Sequence, residues 1–150
     1  MNQTARPKPL GRNQFKVFKL ISTRWMDNDC YGHVNNVVYY SWFDTAVNAY
    51  LIEEGVLDIE KGDTIGLVVN SSCNYFEPVA YPQPVEVGIA VTRLGKSSVE
   101  YRIAIFAEHS DLSCAWGSFV HVYVAEKTRK PVEQLPPAFK LALENIYVGT

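Results

Sequence analysis

The segment from Asn36 to Glu54 constrains this chain more than any other. It holds no Gly and no Pro, and Gly55 follows it. That pattern predicts a helix capped at its start by Asn35 or Asn36 and stopped by glycine. Ser41, Asp44, Thr45 and Asn48 fall at i, i+3, i+4 and i+7 and form one narrow polar stripe. Nearly every other position is apolar, including Val37, Tyr39, Trp42, Phe43, Ala46, Val47, Tyr50 and Leu51. A helix apolar around most of its girth has to be enclosed. At 1.5 Å per residue it runs roughly 28 Å. A chain of 150 residues can cover that length only by wrapping one broad layer around it.

The rest of the sequence supplies such a layer. Phe15 to Trp25 and Thr64 to Phe76 read as strands. Val85, Val87, Ile89 and Val91 alternate with smaller or polar residues, as do Val99, Tyr101, Ile103 and Ile105. Val120, Val122 and Val124 alternate with His121 and Tyr123, which predicts His121 on the outer face. Period-two runs separated by Pro82–Pro84, Gly95–Lys96 and Ser110–Asp111 indicate antiparallel strands. Gln134 to Ile146, after Pro136 and Pro137, reads as a short terminal helix. The expectation is an α+β fold, one antiparallel sheet against one long buried helix. Residues 14–150 form a single domain and residues 1–13 a flexible N-terminal tail.

Composition narrows the function. Lys and Arg number 14 against 16 Asp and Glu, a net charge of -2. That balance lacks the basic excess of a nucleic-acid surface. No apolar run approaches the 18 residues of a membrane span. Cys30, Cys73 and Cys114 give neither a disulfide framework nor a zinc-binding spacing. A cytoplasmic protein in a reducing compartment is expected.

Polar chemistry concentrates between the first strand and the helix. Asp27, Asp29, Gly32 and His33 precede the helix start. Main-chain N–H groups at a helix N-terminus have no acceptor in the preceding turn and carry the positive end of the dipole. They can receive a carbonyl oxygen as it gains negative charge. A carboxylate in the adjoining loop can then act on the same carbonyl carbon, directly or through water. Asp, Asn and Gly before a helix also serve as plain capping and turn residues, so pattern alone leaves both readings open.

The run R-W-M-D-N-D-C-Y-G-H-V-N-N-V-V-Y-Y-S-W-F-D, Arg24 to Asp44, resembles the hotdog-fold acyl-CoA thioesterases of the 4-hydroxybenzoyl-CoA thioesterase type. The similarity covers roughly residues 14–130 and includes the turn Leu94–Ser98, L-G-K-S-S. It implies a hotdog fold, a curved antiparallel sheet around one central helix. It implies Asp29 as the catalytic carboxylate, nucleophile or general base, with Asp27 ordering the loop. The oxyanion amides fall at Asn36 and Val37. Gly32 lets the loop turn inward, and His33 can contact substrate. Ser71 faces the reaction site from a neighbouring subunit, and Lys96 and Ser98 match a turn that touches coenzyme A phosphates. The resemblance further implies an acyl-CoA substrate and a homodimer or homotetramer with the site between chains. Coenzyme A enters as part of the substrate, and neither a metal nor a redox cofactor is expected. Where many relatives carry Gly-Asp or Asp-Asp, this chain reads Tyr81-Pro82-Gln83-Pro84. Alternatives are a dehydratase or hydratase using His33 with Asp29, a thioesterase with its carboxylate on the helix at Asp44, and a non-catalytic acyl-CoA-binding module.

Overall fold

The computed structural model describes residues 5–149. Five strands and two helices follow the order β1 (Val17–Ile21), α1 (Asn36–Glu53), β2 (Thr64–Tyr75), β3 (Val85–Leu94), β4 (Ser98–Ala107), β5 (Ala115–Ala125) and α2 (Pro137–Glu144). The strands form one sheet in the order β1-β3-β4-β5-β2, every neighbour antiparallel. β1 and β2 therefore occupy opposite edges, and α1 crosses one face to join them. This is the α+β hotdog arrangement that the resemblance implies.

α1 starts and stops where its chemistry dictates. Asn35 is the N-cap, its side chain accepting the Val37 N–H. Gly55 adopts φ 73° just past the C-cap, a conformation that costs a side-chain-bearing residue. Tyr39, Trp42, Phe43, Ala46, Val47, Tyr50 and Leu51 form the buried stripe, at the i, i+3, i+4 spacing of one helical face. Each large side chain buried there contributes roughly 2 kcal/mol. Beneath them lie Val85, Val87, Ile89, Val91, Tyr101, Ile103 and Ile105. Enclosure is less complete than the sequence suggests. Val37 and Ile52 are exposed on α1, together with Ser41, Asp44 and Thr45.

The other face of the sheet carries a smaller core of Phe15, Ala90, Ala104 and Phe106, flanked by Leu10, Phe18 and Trp116. The chain's first segment straps across it. Trp116 Nε1 donates to the Lys8 carbonyl at 2.8 Å, and the Leu10 N–H donates to Ser113 Oγ at 2.9 Å. Arg12 pairs with Glu86 at 3.1 Å and lies over the Phe106 ring. Residues 8–12, assigned above to a tail, are thus tied to the sheet, while residues 1–4 lie outside the described residues.

Three other expectations are corrected. The first strand is shorter than Phe15–Trp25, because Trp25–Asp27 turns as a 3-10 helix held by the Arg24–Asp27 pair. α2 is shorter than Gln134–Ile146, because Pro137 begins it. His121 faces inward, not outward: Phe119, His121 and Tyr123 are buried on the α1 side, while Val120 and Val122 are half-buried on the other. The inward register holds because Tyr101, Tyr123 and His121 satisfy most of one another's polar atoms. The two phenol oxygens lie 2.6 Å apart, and His121 Nδ1 is 3.3 Å from the Tyr123 oxygen.

Candidate active site

The loop between β1 and α1 is built around two aspartates with different tasks. Asp27 is buried. Its carboxylate accepts the Arg24 N–H at 2.8 Å and the Arg24 guanidinium at 3.0 and 2.8 Å. Its carbonyl accepts the Asn35 N–H at 2.8 Å. Asp27 is thus the loop-ordering acid, tying both ends of the segment together.

Asp29 sits in the tight turn that follows. Its N–H donates to the His33 carbonyl at 2.8 Å, and its carbonyl accepts the Gly32 N–H at 3.1 Å. Gly32 supplies the φ of 81° at which this turn closes, a value that residues with a Cβ rarely adopt. Asp29 Oδ1 accepts the N–H groups of Tyr31 at 2.8 Å and His33 at 3.4 Å. Its Oδ2 has no hydrogen-bond partner among the described residues. One carboxylate oxygen orients the group and the other is left free. His33 meets Asp29 through its backbone; no hydrogen bond from its ring joins the two among the described residues.

A cavity of about 250 Å³ opens at the start of α1, lined by His33, Val34, Asn36, Tyr39, Tyr75, Phe76, Glu77 and Pro78. Tyr39 and Tyr75 meet edge to face at 5.0 Å, and the Tyr75 hydroxyl donates to the Asn36 carbonyl at 3.3 Å. Burial pushes the Tyr39 phenol up to about 12, with the neighbouring Cys114 and Cys73 adding to the rise. Burial and Cys73 also push the Tyr75 phenol upward. Both rings are therefore neutral hydrogen-bond donors near pH 7 rather than bases. Asn36 belongs to this cavity, but Val37 does not line it. The Val37 N–H, expected above as an oxyanion donor, is spent on Asn35 Oδ1 at 3.1 Å, because the cap needs it.

The remaining expected residues lie elsewhere. Ser71 is exposed on β2, opposite Phe119 and facing the α1 side. Ser98 pairs with Val122, at the opposite end of the sheet from Ala115, which pairs with Tyr75. Seven residues of extended chain separate Ala115 from Val122, roughly 24 Å. One chain therefore does not bring Lys96 and Ser98 to Asn36. Lys96 instead lines a separate cavity of about 390 Å³ with Gln134 and Lys140. Sequence reasoning missed Tyr75, Glu77 and Pro78. Only the pairing of β2 with β5 carries the end of β2 to the helix start, and local pattern does not encode that pairing.

No helix among the described residues is long and apolar enough to cross a membrane. No group of three His, Cys, Asp or Glu residues among them could hold a metal ion.

A family model described as Thioesterase superfamily matches residues 31–114. The chain belongs to the thioesterase superfamily. The matched region takes in α1, the cavity and the whole of β2, β3 and β4, and begins two residues after Asp29. Among solved structures of this shape is the PA5185 protein from Pseudomonas aeruginosa strain PAO1. It is 54% identical, with TM-score 0.91, over 93% of this chain and 97% of that one. DHNA-CoA thioesterase from Staphylococcus aureus is 26% identical, with TM-score 0.76, over 86% and 89% of the two chains. An uncharacterised protein of Bacillus subtilis (strain 168), YsmA, is 24% identical over 122 residues, 81% of each chain.

Proposed function

We propose that this chain hydrolyses acyl-CoA thioesters to free acid and coenzyme A in the cytoplasm. The observation that carries the reading is the start of α1. The Asn36 N–H has no acceptor among the described residues, and Asn36 lines a cavity with His33, whose N–H and carbonyl both bond Asp29, although Asp29 itself is not among the lining residues. The thioester carbonyl oxygen accepts that N–H as it becomes an oxyanion. Asp29 then attacks the carbonyl carbon, expelling the coenzyme A thiolate and leaving a mixed anhydride that water hydrolyses. Alternatively it takes a proton from the water that attacks. In either route a carboxylate and an amide suffice for the chemistry. His33 and the Gly32 turn border the substrate. The thioesterase family and the similarity to a DHNA-CoA thioesterase support this reading.

A second copy completes the site. β2 is a long sheet edge with no strand beyond it among the described residues, and it exposes Leu67, Val68 and Val69. Such an edge invites pairing. Two copies joined antiparallel along β2 bring the far end of one sheet toward the helix start of the other. Ser71, Lys96 and Ser98 of the second copy then approach the substrate, with the two lysine-bearing turns meeting coenzyme A phosphates. A two-fold pair makes two equivalent sites, in a homodimer or in a homotetramer built from such pairs.

The test is thiol release over short, medium, long and aromatic acyl-CoAs, with wild type beside Asp29→Asn. Turnover of the variant should fall roughly 10²- to 10⁴-fold, more in kcat than in KM. Undiminished hydrolysis by Asp29→Asn would overturn the assignment.

A further inference from the structure

Four N–H groups at the start of any α-helix lack an acceptor in the preceding turn, and in α1 their accounts can be closed one by one. Asn35 donates to the Asp27 carbonyl at 2.8 Å, Val37 to Asn35 Oδ1 at 3.1 Å, and Val38 to the Asn35 carbonyl at 3.0 Å. Asn36 alone keeps a free N–H among the described residues. Asn35 thus absorbs two of the three competing donors, one with its side chain and one with its backbone. The Tyr75 hydroxyl, donating to the Asn36 carbonyl at 3.3 Å, holds the same residue from its other end.

The choice of cap is informative. Asn, Asp and Ser cap helices about equally well, and a carboxylate also gains from the helix dipole. Stability alone therefore gives no reason to prefer Asn over Asp. Charge does. The cap oxygen is bonded to the amide next to Asn36, so a carboxylate there would stand within several ångströms of a developing oxyanion. We infer that Asn35 is a positioning residue: its uncharged carboxamide occupies the Val37 amide, leaves Asn36 as the one open donor, and keeps negative charge away from it. This inference rests on the thioesterase reading above.

Three full-length variants test it with the acyl-CoA that the wild type turns over fastest. Asn35→Asp keeps the cap and adds a charge. It should retain the wild-type melting temperature and circular dichroism while kcat falls roughly ten- to a hundredfold, with KM changed by less than about threefold. The deficit relative to wild type should shrink as pH falls from 7 toward 4, where the introduced carboxylate takes up a proton. Asn35→Ser keeps a neutral cap and should recover about fivefold or more of the turnover lost in Asn35→Asp. Asn35→Ala, lacking a cap, should melt lower than both.

A residue that merely caps the helix gives the opposite pattern. Asn35→Asp would then be as active as wild type, and turnover in all three variants would follow their melting temperatures. An active wild type with an equally active Asn35→Asp overturns the inference alone. A wild type that releases no thiol from any acyl-CoA overturns the thioesterase reading and this inference with it.

Discussion

His121 makes a quantitative prediction about stability in acid. It is buried on the α1 side of β5, only 3% exposed, among Phe119, Tyr101 and Tyr123. Its Nε2 has no partner among the described residues, and its Nδ1 lies 3.3 Å from the Tyr123 oxygen. Asp44 of α1 raises the neighbouring Tyr123 phenol. Burial pulls the imidazole down from 6.5 to about 4. Between those values the unfolded chain binds a proton that the folded chain refuses, so folding weakens as pH falls through that window. At 1.36 kcal/mol per pKa unit the full loss is about 3 kcal/mol, of which about 2 kcal/mol is already felt at pH 5. His121→Phe keeps an aromatic ring and removes the titration. Urea unfolding of both chains at pH 7, 6, 5 and 4.5, at one protein concentration, measures the difference. The variant should gain on wild type by about 2 kcal/mol between pH 7 and 5. Parallel losses in the two chains would refute the account.

Two further expectations concern the β2 edge. A Cβ at Gly117 would run into the Ser72 carbonyl of β2. Gly117→Ala should therefore cost about 3 kcal/mol or more in urea unfolding, since backbone rather than a side chain has to yield. Val68→Lys with Val69→Lys places two charges on the exposed edge, a device by which natural sheets block pairing. Sedimentation should then report the mass of one chain, and thiol release should drop with it. Retention of the wild-type mass would remove the edge from the assembly.

Much of the fold was readable because local signals agree with one another. Asn35 and Gly55 bound α1 by capping chemistry, and alternation marked β3 and β4 to within about two residues but only the second half of β5, which begins five residues before Val120. The errors arose where a distant contact overrides a local pattern. His121 looked outward because Val120 and Val122 are the more apolar pair, yet both faces of this sheet are covered, so hydrophobicity no longer tells one from the other. Phe15 and Trp25 looked like strand residues by propensity, but Phe15 packs on the rear of the sheet over Gly88 and Trp25 opens a turn. At the site, the loop, the two aspartates and the Asn36 amide were legible. The fate of the Val37 amide depended on one side-chain rotamer. The distance to Lys96 and Ser98 depended on strand order, which pairs β2 with a strand forty residues further along.

That strand order also fixes what the ribosome exposes. β1 waits for β3, and β2 waits for β5, so both borders of the sheet emerge well before their partners. α1, with Trp42, Phe43 and Leu51 on one side, leaves the exit tunnel some thirty residues ahead of Val85, where the first of the long central strands beneath it begins. The nascent chain therefore carries its greasiest element bare through the middle of translation, and the hairpin of β3 and β4 is the event that ends that exposure.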